Sequence, residues 1–203
     1  MKKSLAFMVA SIMTMSGAYA QSVKLPAPQA QGGVPVLEAI ENRASAVGAS
    51  FPTGAVSAEE LSTLLWAASG RNRAGKGWTV PTAMAKDPYV TIYVVGKDGT
   101  FTYNGKEHAL EPVVTDDLRG KISGQGFVAS ASHVLVFVSR DTDQGKRFGQ
   151  VLVGAMTQNI YLAAEGLNVG VRYMATMNQD FVRNTFKLAA DDVAVCIMPI
   201  GHK

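Results

Sequence analysis

Leu61-Ser-Thr-Leu-Leu-Trp-Ala-Ala-Ser-Gly-Arg-Asn-Arg73, with Thr79-Val-Pro-Thr-Ala-Met84 close behind, is the most informative run in this 203-residue chain. Leu61, Leu64, Leu65 and Ala68 recur at spacings of three and four, which puts them on one buried helical stripe. Just upstream, Ser57-Ala58-Glu59-Glu60 sets a Ser three residues before a Glu. In that pattern each side chain accepts the other residue's backbone N–H, so it opens a helix, and Gly70 ends it. Gly70 to Gly77 then reads GRNRAGKG and matches the phosphate-loop pattern GxxxxGK up to its last position. There Gly77 replaces the hydroxyl residue that would hold magnesium, and the loop follows a helix instead of a strand, so the segment is a basic loop.

Upstream, Leu37, Ile40, Ala44 and Val47 predict an amphipathic helix from about Pro35 to Val47. Gln21 to Gly33 is rich in Pro, Gln, Ala and Gly, as expected of a flexible lead. Residues 1–20, MKKSLAFMVASIMTMSGAYA, combine two lysines, an apolar run and a small-residue Ala18-Tyr19-Ala20 site, the pattern of a cleavable secretory signal. The expected organisation is therefore signal peptide 1–20, lead 21–33 and one domain over 34–203, in a periplasmic or secreted protein. Losing residues 1–20 removes two lysines and no acid, which leaves 17 basic against 16 acidic residues and a net charge of +1. Such a balance gives no reason to expect a nucleic-acid partner, and no stable membrane insertion is expected after cleavage.

Downstream, Val90, Ile92 and Val94 alternate as a strand, Asp98-Gly99 supplies a turn, and Phe101 and Tyr103 begin a returning strand. His133 to Ser139 is almost continuously apolar, as in a central strand covered on both faces. A long helix is predicted from about Lys146 to Leu167, apolar enough on several faces to lie in a domain centre or a dimer interface. Asn178 caps a helix through Phe181, Thr185 and Leu188, and Val193 to Ile200 forms the last strand. Helices and strands mix without regular alternation, which favours α+β over a doubly wound sheet.

Chemistry-bearing motifs are sparse. His108, His133 and His202 lack metal-ligand spacing with one another or with Cys196, the single cysteine, whose apolar neighbours mark it as an inert core thiol. No serine sits in GxSxG, and Asp116-Asp117 and Asp191-Asp192 read as helix-terminal or solvated acids.

The Leu61–Arg73 and Thr79–Met84 blocks, together with Ala163-Ala-Glu-Gly-Leu167, Gly170-Val-Arg-Tyr-Met-Ala-Thr-Met177 and the closing Ile200-Gly201, resemble the nitroreductase-like flavoproteins. The likeness is to their compact exported, SagB-type-like subgroup, and it spans roughly Val36 to Lys203. It implies an α+β three-layer sandwich, a mainly antiparallel sheet flanked by helices, and a homodimer with FMN at its interface. It also implies an FMN-binding set. Arg43 and Ser45 would hold the phosphate, although this chain has Ala44 and Val47 where further basic residues are usual. Pro81, Thr82, Ala83 and Met84 would lie against the flavin ring, with Ala85 in place of an amide side chain. Backbone amides at Ala175 and Thr176 would face the ring, and Lys203 or His202 would supply the C-terminal basic residue near the phosphate.

The implied activity is ping-pong oxidoreduction, in which a donor and an electron-poor small-molecule acceptor such as a nitroaromatic or quinone use the flavin in turn. No side chain is expected to act as general acid or base, and Trp78 and Tyr173 are candidate walls for the acceptor. Nicotinamide donors are cytoplasmic, so an exported member would acquire FMN outside and use another reductant. Two alternatives stand beside this reading: a cofactor-free periplasmic binding or interaction module on a degenerate fold, and an enzyme of non-redox flavin chemistry.

Overall fold

The computed structural model describes residues 21–203, so the signal sequence expected at 1–20 lies outside the described residues. In chain order the elements are β1 (Val23–Lys24), α1 (Val36–Asn42), α2 (Ala58–Ser69), β2 (Arg71–Asn72), β3 (Gly77–Trp78), β4 (Val90–Gly96), β5 (Gly99–Asn104) and β6 (Ala109–Val114). They continue through α3 (Arg119–Ile122), α4 (Gly126–Ser130), β7 (His133–Ser139), α5 (Asp143–Gly166), β8 (Val169–Val171), α6 (Gln179–Thr185) and β9 (Val193–His202). Seven strands form one sheet in the order β1-β6-β5-β4-β7-β9-β8, with every neighbouring pair antiparallel, while β2 and β3 make a separate hairpin. The fold is the α+β arrangement expected, a mainly antiparallel sheet flanked by helices.

Its layers follow from the period-2 pattern of β7. Leu135 and Phe137 join a core that includes Leu64 and Leu65 of α2 and Leu152, Met156 and Ile160 of α5. Val134, Val136 and Val138 point the other way, into a second core with Ile122 of α3, Val128 of α4 and Val182 of α6. Both faces of the strand are thus buried, which is why its sequence is apolar without alternation.

The capping box forms as its sequence dictates. Glu60 N–H donates to Ser57 Oγ at 3.2 Å and Ser57 N–H donates to Glu60 Oε2 at 2.7 Å. At the start of α5, Gly145 N–H donates to Thr142 Oγ1 at 3.0 Å, so this helix begins three residues earlier than its apolar pattern predicts. Asn178 caps α6, which ends at Thr185 short of Leu188. The hairpin turn is Lys97-Asp98, with Gly96 opposite Gly99, so the loop sits one residue earlier than Asp98-Gly99. Gly99 has φ of 130°, a conformation that only glycine adopts without strain.

Among the departures from expectation, three shape the sheet and the candidate site. First, α1 stops at Asn42, because Ala46 N–H donates to Val171 O of β8 at 2.9 Å and draws residues after 43 into extended backbone. The stripe predicted for α1 does not face the core either: Leu37 is 77% exposed and Ile40 52%, and Ala39 is the buried residue. Second, β6 has no counterpart in the sequence reading. Third, the segment expected as a flexible lead makes specific bonds, with β1 paired to β6, Leu25 N–H donating to His108 O, and Ser62 Oγ donating to Pro26 O. Among the described residues no helix is long and apolar enough to cross a membrane.

Candidate functional site

The bend after Asn42 carries Arg43 and Ser45 onto the side of α5. The Arg43 guanidinium lies 4.5 Å from the centre of the Tyr161 ring, a cation–π distance. Arg43 Nε is buried and has no hydrogen-bond partner among the described residues. A buried guanidinium N–H without an acceptor is costly, so its position suits an anion that supplies one. Ser45 Oγ lies 2.7 Å from Tyr161 Oη, and Tyr173 N–H donates to the same Oη at 2.8 Å. Arg172 Nη1 donates to Ala46 O at 3.0 Å, and its guanidinium sits 5.7 Å from the Phe127 ring, which fixes the bend from its far side.

Lys203 reaches the same neighbourhood from the chain end. Its N–H donates to Asn168 O at 3.0 Å, and its ammonium lies 3.7 Å from Glu165 Oε1. Glu165 is four residues beyond Tyr161 on α5, one turn along the same face, so Lys203 and Arg43 hang on adjacent turns. His202 is turned away: Nδ1 lies 2.8 Å from Glu60 Oε1 in a geometry that makes no hydrogen bond. Ala175 and Thr176 follow Met174, which bridges to Ile197 of β9, and both are exposed just beyond Tyr173.

The Pro81–Met84 loop is not brought to this cluster within one chain. Its stem is held by Asn159 Nδ2, which donates to Thr79 O at 3.3 Å and to Ala67 O at 3.0 Å. Asn159 is two residues before Tyr161 on α5, so the two side chains leave the helix on opposite sides. Thr82 Oγ1 donates to Ala85 O at 2.7 Å and shapes the loop, while Ala83 and Met84 hold φ of 45° and 64° and Met84 is fully exposed. Two consecutive left-handed non-glycine residues are a strained conformation.

The remaining candidates resolve into structure. The GxxxxGK run is the β2–β3 hairpin, with Arg71 stacked 4.5 Å from the Trp78 ring, and Trp78 Nε1 donates to Lys86 O at 3.2 Å. Cys196 is fully buried, and burial pushes its thiol up to about 12, against a hydrogen bond from Tyr173. Asp117 clamps Arg119 through both oxygens, Asp191 pairs with Lys146, and Asp192 accepts N–H donors from Asp141 and Ala189. No group of three His, Cys, Asp or Glu that could hold a metal occurs among the described residues. Tyr161 and Arg172, which organise the Arg43 cluster, are the residues that sequence reasoning missed. Each reads in isolation as one more side chain of a long helix or a strand end.

Comparison with known proteins places the fold in a family. The sequence profile of the Nitroreductase family matches residues 50–202. A protein of Methanocaldococcus jannaschii, provisionally named a nitroreductase, is 29% identical over 160 residues, which cover 71% of this chain and 80% of that one. A solved structure from Ralstonia eutropha JMP134, also provisionally named a nitroreductase, is 28% identical with a TM-score of 0.78 and covers 92% of this chain and 91% of its own. Nitroreductase A from Vibrio parahaemolyticus shares the fold at 21% identity and a TM-score of 0.58, over 82% of this chain and 66% of that one.

Proposed function

The chain belongs to the nitroreductase family, and we propose that it is an exported oxidoreductase that depends on FMN and passes electrons to an electron-poor small molecule such as a nitroaromatic or quinone. The observation that carries the flavin assignment is the buried Nε of Arg43, without a hydrogen-bond partner among the described residues, over the Tyr161 ring whose hydroxyl meets Ser45. Together Arg43 and Ser45 offer a charged donor and a neutral donor, the pair that would suit an anionic phosphate. Lys203 adds positive charge one helical turn away, and the exposed amides of Ala175 and Thr176 begin two residues beyond the Tyr161-bound amide. Bound FMN would supply a carrier that takes up a hydride from a donor and yields it to the acceptor. The chain's own part is to fix that carrier and leave one face of it open.

The loop Pro81–Met84 and the Arg43 cluster project from opposite sides of α5, so a single copy does not assemble all the predicted contacts. A homodimer supplies what is missing, with the loop of one copy set against the cluster of the other. The exposed apolar side chains of α1 and α5, among them Leu37, Ile40, Phe148 and Val151, are the surface that such a dimer would cover. Export rests on the sequence of residues 1–20.

The test is direct. Mature chain mixed with FMN and passed through gel filtration should elute with flavin absorbance, and Arg43→Ala should weaken binding by about 1.5–3 kcal/mol, the range for a hydrogen bond to a charged group. A mature chain that emerges colourless at micromolar FMN would instead point to the cofactor-free binding module.

A further inference from the structure

Tyr161 joins two parts of the chain that the sequence keeps apart. Its ring underlies Arg43 at 4.5 Å, and its hydroxyl meets both Ser45 Oγ at 2.7 Å and the Tyr173 amide at 2.8 Å. The side chain comes from α5 and is 6% exposed. Its proton arrangement follows from counting. The phenol oxygen already accepts the Tyr173 N–H, and a phenol carries one proton of its own to place. If Ser45 donated into the oxygen as well, the Tyr161 proton would have no acceptor in a buried residue, a cost that structures avoid. When Tyr161 donates to Ser45 Oγ, the Tyr161 hydroxyl and the Tyr173 N–H are both satisfied, and the proton of the exposed Ser45 is left free on the side of Arg43, whose Nε has no partner among the described residues.

We propose that Tyr161 is a positioning residue that turns Ser45 into an outward hydrogen-bond donor for the phosphate of the flavin. The inference rests on the flavin assignment above. It adds a specific claim, that the Tyr161 hydroxyl acts on the phosphate end of the ligand through Ser45 and not on the ring.

The test compares FMN with riboflavin, which has the same ring and no phosphate. In fluorescence titrations Tyr161→Phe, which keeps the ring beneath Arg43, should weaken FMN about 3- to 10-fold, as expected for one hydrogen bond, and leave riboflavin unchanged. In a Ser45→Ala background the same change should cost FMN nothing further. Equal losses for both flavins, or an undiminished loss in the Ser45→Ala background, would make Tyr161 a purely structural side chain and overturn the proposal. Should Tyr161→Phe fail to fold, the Tyr173 amide resonance, whose N–H bonds the Tyr161 oxygen, decides: a shift with FMN that riboflavin does not produce and that Ser45→Ala abolishes supports the proposal, and equal shifts with both flavins refute it. If the unaltered chain binds neither flavin, the flavin reading falls. Inorganic phosphate then reads the clamp separately, through the Ser45 and Tyr173 amide resonances. A shift in the unaltered chain that Tyr161→Phe abolishes sustains the Tyr161 role, and no shift ends it.

Discussion

His133 shows how the packing around one side chain sets a measurable property. It heads β7 and is half-buried, and burial together with the nearby Arg119 guanidinium lowers its pKa to about 4, against a smaller opposing pull from Asp98. The neutral ring is the form the fold accepts. Because the folded value lies below the unfolded value of about 6.5, stability is full above pH 6.5 and falls as the pH drops toward 4, where the unfolded chain binds a proton that the folded chain refuses. His108 is lowered in the same direction by burial. Urea denaturation across pH 4 to 7 should show this decline, and His133→Gln should flatten it by up to about 1.4 kcal/mol per pH unit, the limit for one proton. An unchanged slope in the variant would show that other groups carry the acid sensitivity. At this scale the sequence was legible in part. Arg43 and Ser45 stand out only through the likeness to the nitroreductase-like family, whose phosphate-binding stretch they match. Tyr161 does not, since its value lies in a meeting of residues 45, 161 and 173 that only the folded chain creates.

Elements were legible where local pattern and tertiary demand agree. The capping box of α2, the apolar run of β7 and the long helix α5 all emerge near their predicted bounds, because caps and periodicity are written into neighbouring residues. Removing the cap by Ser57→Ala should lower stability by about 1 kcal/mol in thermal melts, with the loss confined to the start of α2 in hydrogen exchange. A melting temperature equal to that of the unaltered chain would mean that the packing of Leu61, Leu64 and Leu65 alone holds the helix. Where local and long-range demands differ, the long-range ones win. The period of Leu37, Ile40, Ala44 and Val47 is helical, yet the bond from Ala46 to Val171 ends the helix early and creates the bend that presents Arg43. β6 was hidden for the opposite reason. Glu111 and Pro112 interrupt any alternation, and the strand exists because β5 and β1 flank it.

At the scale of the whole molecule, association should run through helix faces. Leu37 on α1 and Val151 on α5 are 77% and 70% exposed, unusual for large apolar side chains. The unaltered chain should sediment at the mass of two copies, and a chain carrying Leu37→Glu and Val151→Glu at the mass of one. On the proposed dimer, in which Pro81–Met84 of one copy would meet Arg43 of the other, flavin binding should be lost with it. Retention of the larger mass would place the interface elsewhere. The sheet itself offers little alternative. Its outermost strands are β1 and β8, of two and three residues, too short to template much backbone pairing by another chain. Beyond the reach of β1, the outer edge of β6 carries the charge of Glu111 and the missing N–H of Pro112, both of which discourage strand addition. Copies that cannot add strands edge to edge are kept from growing into fibres. Cutting away the segment that carries Val23 and Lys24 would uncover Ala109 and Leu110, so the lead also guards the folded chain against aggregation.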